Sequence, residues 1–204
     1  MQYIVPVIIL LFSVIVHEVA HGFVAYKCGD DTAKLMGRLT LNPIYHIDII
    51  GTILLPLTLV LAGLPAFGWA RPVPINVLRL KNPKKDILYV SAAGVTANIL
   101  LAIVSGILMF VIRNYFANVE IMGYIYLLLQ YMVVINVVLF VFNLIPLPPL
   151  DGSRIVFYLL PRELAMKYAK IERYGFWIII LLLITGWLWD IIRPIVNLLI
   201  KLIS

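Results

Sequence analysis

His17-Glu18-Val19-Ala20-His21 lies in the later half of an apolar run from Tyr3 to Tyr26 and is followed at once by Gly22. On a helix, residues four apart share a face, so the imidazoles of His17 and His21 point the same way. Such a pair can grip one zinc ion, and Glu18, one residue along, is placed to act on a water at the metal. Five residues match such a pattern by chance easily, but the setting narrows the reading. Ionisable groups in a membrane helix are costly, face the protein interior and mark functional sites. Three of them in five residues need neutralising, and a metal ion does this well. The plainer reading is a polar cluster hydrogen-bonded to neighbouring helices.

The chain around this stretch is that of a polytopic membrane protein. Of its 204 residues 63% are hydrophobic and only 13% charged, against about half and one quarter in a soluble domain. Mean hydropathy is +1.05. The start, Met1-Gln2-Tyr3-Ile4, lacks a basic region and the first apolar run carries ionisable groups, so it does not read as a cleavable signal peptide. Cys28 is the single cysteine, which excludes an intrachain disulfide and a cysteine metal site. The net charge of +6 does not point to nucleic acid, because the basic residues fall in short loops between apolar runs, the pattern of membrane topology.

Tyr3–Tyr26, Ile87–Ile112 and Met122–Leu144 are each long enough to span, since about 20 residues cross the hydrocarbon core. The polar connection from Lys27 to Asp48 holds Gly37-Arg38-Leu39-Thr40-Leu41-Asn42, which reads as a short strand-like piece. His46 and Asp48 diverge on a helix, and a local hydrogen-bonding role is favoured for them over ligation. Ile49–Phe67 is apolar but interrupted by Gly51, Pro56, Gly63 and Pro65, and either spans or dips in and returns. Gly68 to Asn76 contains Pro72 and Pro74, which argue for an extended edge or loop. The second span offers Ser91-Ala92-Ala93-Gly94 and Ser105-Gly106 for close packing. The third runs into Pro146, Pro148 and Pro149, which must break the helix. Such broken backbone at membrane depth is tolerated only inside protein or beside a wet cavity. Ser153–Tyr174 is polar and basic, Phe176–Leu188 apolar but short, and Asp190–Ser204 an amphipathic tail or a continuation of that helix.

Charge placement decides between dipping and crossing. If Ile49–Phe67 re-enters, Lys and Arg divide thirteen to three across the membrane; if it crosses, ten to six. The positive-inside rule favours re-entry. The first and third spans then run parallel, and Asp151 arrives at the depth of His17 and His21. Antiparallel spans would displace it by on the order of 20 Å in a core of about 30 Å. Asp151 is therefore the expected third ligand, leaving an open position as catalytic zinc requires; the plainer reading is an Asp-Gly turn at the interface.

His17-Glu18-Val19-Ala20-His21 followed by Asn143-x-x-Pro146-x-Pro148-x-Leu150-Asp151-Gly152 resembles the site-2 protease family of intramembrane zinc metalloproteases. Gly37–Pro43 and Gly68–Pro74 resemble its small branch without PDZ or CBS domains. The likeness covers about residues 15–155. Ala93-Gly94-Val95-Thr96-Ala97-Asn98 is similar to a Gly-Pro-x-x-Asn element of the family, with Val95 in place of the proline. The resemblance implies an all-α polytopic membrane protein with a three-span metalloprotease core over 1–152, including the re-entrant segment and short strand-like loops. A basic loop and C-terminal membrane helix or amphipathic tail occupy 153–204. It implies one Zn2+ per chain on His17, His21 and Asp151, with Glu18 as general base. Asn143 or Asn98 would supply an amide to the oxyanion or to the substrate backbone. The expected substrate is a transmembrane segment of another protein, met within the lipid bilayer of a prokaryotic cell membrane, with the site nearer the cytoplasmic face. The alternative is a non-proteolytic divalent-cation-binding membrane protein or transporter.

Overall fold

Three long apolar helices carry the architecture. The computed structural model describes residues 4–61, 63 and 68–203. Helix α1 (Ile4–Lys27) ends with Lys27 in its last turn, where a cation complements the helix dipole. Gly29, at φ 109°, then turns the chain into the short α2 (Thr32–Leu35). A π-helical stretch, Ile49–Leu54, leads into α3 (Leu55–Leu61). The second long helix, α4 (Pro83–Tyr115), starts on a proline, and Asp86 in its first turn accepts the Asn82 N–H, satisfying a donor the helix start leaves free. After a short turn α5 (Glu120–Asn143) returns antiparallel to it. Then come α6 (Asp151–Leu159), α7 (Arg162–Ala169), α8 (Glu172–Ile184) and α9 (Trp187–Ile203).

Helix α4 is the hub. Its buried residues include Ser91, Gly94, Asn98, Ala102, Ser105 and Met109, a three-to-four spacing that lays small side chains along one stripe and lets α1 and α5 approach closely. Its outer face exposes Leu100, Val104, Ile107 and Phe110. Exposed apolar area on this scale suits lipid rather than water. By length and composition α1, α4 and α5 can each cross a membrane.

The described backbone on the two sides of the expected dip, Ile49–Phe67, closes on itself. The Trp69 N–H donates to the Gly51 carbonyl (3.1 Å) and the Thr52 hydroxyl to the Trp69 carbonyl (2.9 Å). The chain thus returns beside the point it left; residues 62 and 64–67 of that segment lie outside the described part. The Lys81 N–H donates to the Cys28 carbonyl (3.0 Å), so the end of α1 meets the start of α4. Helices α1 and α5 consequently run parallel, α4 against both.

One expectation changes and one alternative is decided. Gly37–Asn42 is not a strand, and none occurs among the described residues. Gly37, at φ 64°, turns the chain, and no neighbouring edge offers this piece a ladder. Of the two readings left open for the C-terminal region, the structure favours a separate amphipathic helix over a continuation. Gly186, at φ 79°, breaks the helix, and α8 and α9 meet at 79°.

Candidate metal centre

Three side chains from two distant parts of the chain converge. His17 Nε2 and His21 Nε2 lie 3.0 Å apart, and each is 3.1 Å from Asp151 Oδ2. The histidines sit one turn apart on α1. Asp151 opens α6, which doubles back tightly on the end of α5. A Cβ on Gly152 would lie 2.3 Å from the Leu144 carbonyl oxygen, so only glycine after Asp151 permits that fold-back.

Hydrogen bonding fixes which imidazole nitrogen faces the centre. His21 Nδ1 is 2.6 Å from the Val90 carbonyl; a carbonyl only accepts, so Nδ1 carries the proton. His17 Nδ1 is 2.6 Å from Asn98 Oδ1. The Asn98 amide is oriented in turn, because its Nδ2 donates to Asn136 Oδ1 (2.8 Å) and faces the Ser13 carbonyl (3.5 Å). Asn136 Nδ2 donates to Ser13 Oγ and to the Met132 carbonyl. One polar thread therefore joins α5, α4 and α1 through the apolar interior, with Ser13, Asn98 and Asn136 all fully buried.

With both Nδ1 atoms protonated, each neutral imidazole presents an Nε2 lone pair inward. In the neutral form of both rings, two lone pairs and a carboxylate oxygen meet at 3.0–3.1 Å. A cation resolves that repulsion. Ligand atoms around a tetrahedral zinc ion with bonds of about 2.0–2.1 Å lie about 3.3 Å apart, close to the separation found. Among the described residues this is the one group of three or more His, Cys, Asp or Glu able to hold a metal ion. A backbone carbonyl on Nδ1, as Val90 gives His21, is among the partners that orient metal-binding histidines generally.

Gly94 completes the floor. A Cβ there would lie 2.4 Å from His21 Nε2 and 2.6 Å from His17 Nε2, so any side chain would occupy the space of the imidazoles. Glu18 lies beside the group, and its Oε2 accepts the Val73 N–H at 2.8 Å. Both line a cavity of about 500 Å3, together with Trp69, Pro72, Ile75, Asn143 and the histidines. Phe176 and Ile179 of α8 border it as well, and Phe176 meets Trp69 edge to face at 5.9 Å.

The segment 71–76 is held in place from both sides. Arg38 donates to the carbonyls of Arg71 (3.0 Å) and Pro72 (3.2 Å), and the Arg71 N–H donates to the His46 carbonyl. The Asn76 N–H donates to Asp30 Oδ2 (2.6 Å). Burial alone would raise the Asp30 carboxyl, but hydrogen bonds from Thr32 and Asn76 outweigh it and hold its pKa below the ordinary value. Gly22 lets this segment approach α1, since a Cβ there would lie 2.6 Å from Val73 Cγ1.

The expected candidates fall into distinct places. His17, His21 and Asp151 come together, with Glu18 adjacent. Asn143 lines the cavity, one amide N–H given to the Leu139 carbonyl. Asn98 is fully buried behind His17, not on the cavity. His46 bonds through Nε2 to the Thr40 carbonyl (2.7 Å), and Asp48 accepts the Gly51 N–H. Neither belongs to the cluster. Asn136, Ser13 and the Val73 N–H are absent from the sequence reading, where Gly94 stands as a small residue for close packing and within the Gly-Pro-x-x-Asn likeness. The one signal for them was Asn136 itself, an amide amid an apolar span.

Comparison with known proteins gives three findings. Residues 109–185 match the family model described as Peptidase family M50. Two relatives bear the name "Putative zinc metalloprotease": YwhC of Bacillus subtilis and Rip2 of Mycolicibacterium smegmatis. The first is 42% identical over 94% of this chain and 85% of its own length, the second 29% over 86% of this chain and 64% of its own. No solved structure matches the chain.

Proposed function

The chain belongs to peptidase family M50, a zinc-dependent membrane endopeptidase, and from that premise we propose that it cleaves peptide bonds in or beside transmembrane segments of other proteins. The observation that carries the reading is the convergence of His17, His21 and Asp151 within 3.1 Å, with Glu18 beside them on a cavity between apolar spans. His17 Nε2, His21 Nε2 and Asp151 Oδ2 would hold the ion. Bound there, zinc lowers the pKa of water towards neutrality and polarises the scissile carbonyl.

The remaining work falls to the chain's own groups. Glu18 takes a proton from the attacking water and delivers it to the leaving amine nitrogen. Asn98 acts behind the site as a positioning residue, fixing the His17 tautomer. Asn143 faces the cavity with an amide N–H to spare and donates to the developing oxyanion or to the substrate backbone.

A scissile bond within a helix is shielded, so the substrate must unwind, and unwound backbone in lipid needs partners. Segment 71–76 supplies them. Its carbonyls at Arg71 and Pro72 and its N–H groups at Arg71, Val73 and Asn76 are already engaged. The Ile75 N–H and the Val73 and Ile75 carbonyls remain for an added strand. The site lies towards the end of α1 that carries the basic loops, hence nearer the cytoplasmic face of a prokaryotic cell membrane.

The test is Glu18→Gln in purified protein given a transmembrane peptide in detergent. The variant should hold about one zinc per chain, as three ligands stay intact, and cleave nothing. Loss of zinc together with activity would make Glu18 a structural group and overturn the assignment.

A further inference from the structure

Helix α9 has three faces where a membrane helix packed on its neighbours needs two. At 100° per residue, Leu188, Ile192 and Val196 form one face and are buried. Ile191, Ile195, Leu198 and Leu202 form a second, exposed and apolar, suited to lipid. Asp190, Arg193, Asn197 and Lys201, spaced three, four and four, form a third, and all four are exposed.

The depth of this polar stripe makes it consequential. Ile192 and Val196 pack with Ala102 and Met109 of α4 and Val133, Val137 and Val141 of α5, residues from within the spans. At its far end Ile203 abuts Gly106, where a Cβ would lie 2.4 Å from the Ile203 carbonyl oxygen. The stripe thus runs alongside the spans at hydrocarbon depth. Ionisable groups there are costly and pair with one another or face protein. Among the described residues no ion pair involves Asp190, Arg193 or Lys201.

We propose that this stripe is the contact surface for a second copy of the chain. Its charge pattern is self-complementary, as a twofold interface requires. Two α9 helices related by an axis along the membrane normal run parallel and present residues at equal depth. Asp190 of each copy then meets Arg193 of the other, one turn along. Asn197 faces its own counterpart, and its carbonyl oxygen accepts from Lys201 of the second copy. The apolar flank through Ile195 and Leu202 stays towards lipid. A stripe of one sign would call for a different protein; this one carries both signs on adjacent turns.

The test uses full-length protein in native membranes, with Cys28→Ala as background. Under a mild oxidant, Asn197→Cys should accumulate a disulfide-linked dimer, while Ile195→Cys and Leu198→Cys should not. Asp190→Arg should abolish that dimer, and adding Arg193→Asp should restore it, a rescue that a merely misfolded variant would not show. Equal cross-linking at all three positions, a product of heavier mass containing another protein, or failure of the charge swap to restore the dimer would each overturn the proposal.

Discussion

Replacing Gly94 by alanine should separate helix stability from metal binding, because the two respond in opposite directions. In a helix interior alanine is favoured over glycine by about 1 kcal/mol, so Gly94→Ala leaves α4 at least as helical. The added methyl, however, would lie 2.4 Å from His21 Nε2 and 2.5 and 2.6 Å from His17 Cε1 and Nε2. Carbon contacts settle at about 3.5–4.0 Å, so each ring must retreat by about 1 Å. Metal sites tolerate ligand displacements of about 0.2 Å. The expected loss of zinc affinity is therefore at least about a hundredfold, or about 2.8 kcal/mol at 1.4 per tenfold. Competition titration against a chelator reads the affinity, and thermal unfolding of the chelated protein reads the fold. Gly123→Ala is the control, since nothing lies within 4 Å of its added methyl and it should leave zinc affinity unchanged. If Gly94→Ala holds zinc as tightly as the parent, the imidazoles are not where the centre needs them and the packing argument fails.

Asn98→Ala should lower zinc affinity by about 10–100-fold through loss of the acceptor on His17 Nδ1, whereas Asn98→Asp, which keeps that acceptor, should retain most of it; the same chelator titration checks both. Asp151→Asn should weaken metal binding and His46→Ala should leave zinc content near that of the parent, and the reverse outcome in elemental analysis would name the wrong third ligand. Single cysteines at Lys34, Lys84 and Asn118 in a Cys28→Ala background should label from outside with an impermeant maleimide at Asn118 alone; labelling that separates 34 from 84 would mean a full crossing at 49–67. The depressed Asp30 pKa contributes stability that is present above the ordinary carboxylate range and lost as pH falls through the folded value. Asp30→Asn should accordingly remove acid sensitivity from the 71–81 region, read as protease cutting there between neutral and acidic pH.

What was legible from residues alone was the periodic and the electrostatic. His17 and His21 share a face by helical spacing, a local property. Asp151 was reachable because basic residues order the loops across the membrane, and that order sets the depth of a residue far along the chain. The return of the chain at Trp69 to Gly51 and Thr52 agrees with the dip at Ile49–Phe67 that the same charges favoured. Asn136 and Ser13 were not legible, and Gly94 was legible only as a small packing residue, because their roles depend on the register between helices, which apolar stripes alone leave undetermined. The Val73 N–H was invisible for another reason: a backbone group has no letter in the sequence. Arg38 stood inside a motif that read as strand-like, yet its guanidinium serves as a clamp on the Arg71 and Pro72 carbonyls. Whether Asp190–Ser204 was a separate tail or a continuation stayed open because the apolar content runs through Gly186, and only its positive φ reveals the break.

The separation of the proposed ligands along the chain also has a meaning in time. At about 5–20 residues per second, 134 residues divide the emergence of His17 from that of Asp151, an interval of about 7 to 27 s. Throughout it the first span is already made and carries two imidazoles and a glutamate, without the carboxylate that closes their triangle. The third helix must also be synthesised before the Asn136–Asn98–His17 thread can lock the rings. A ribosome making this protein therefore holds a half-built centre beside its own emerging spans, and the centre closes only after the last of the three long helices has been made.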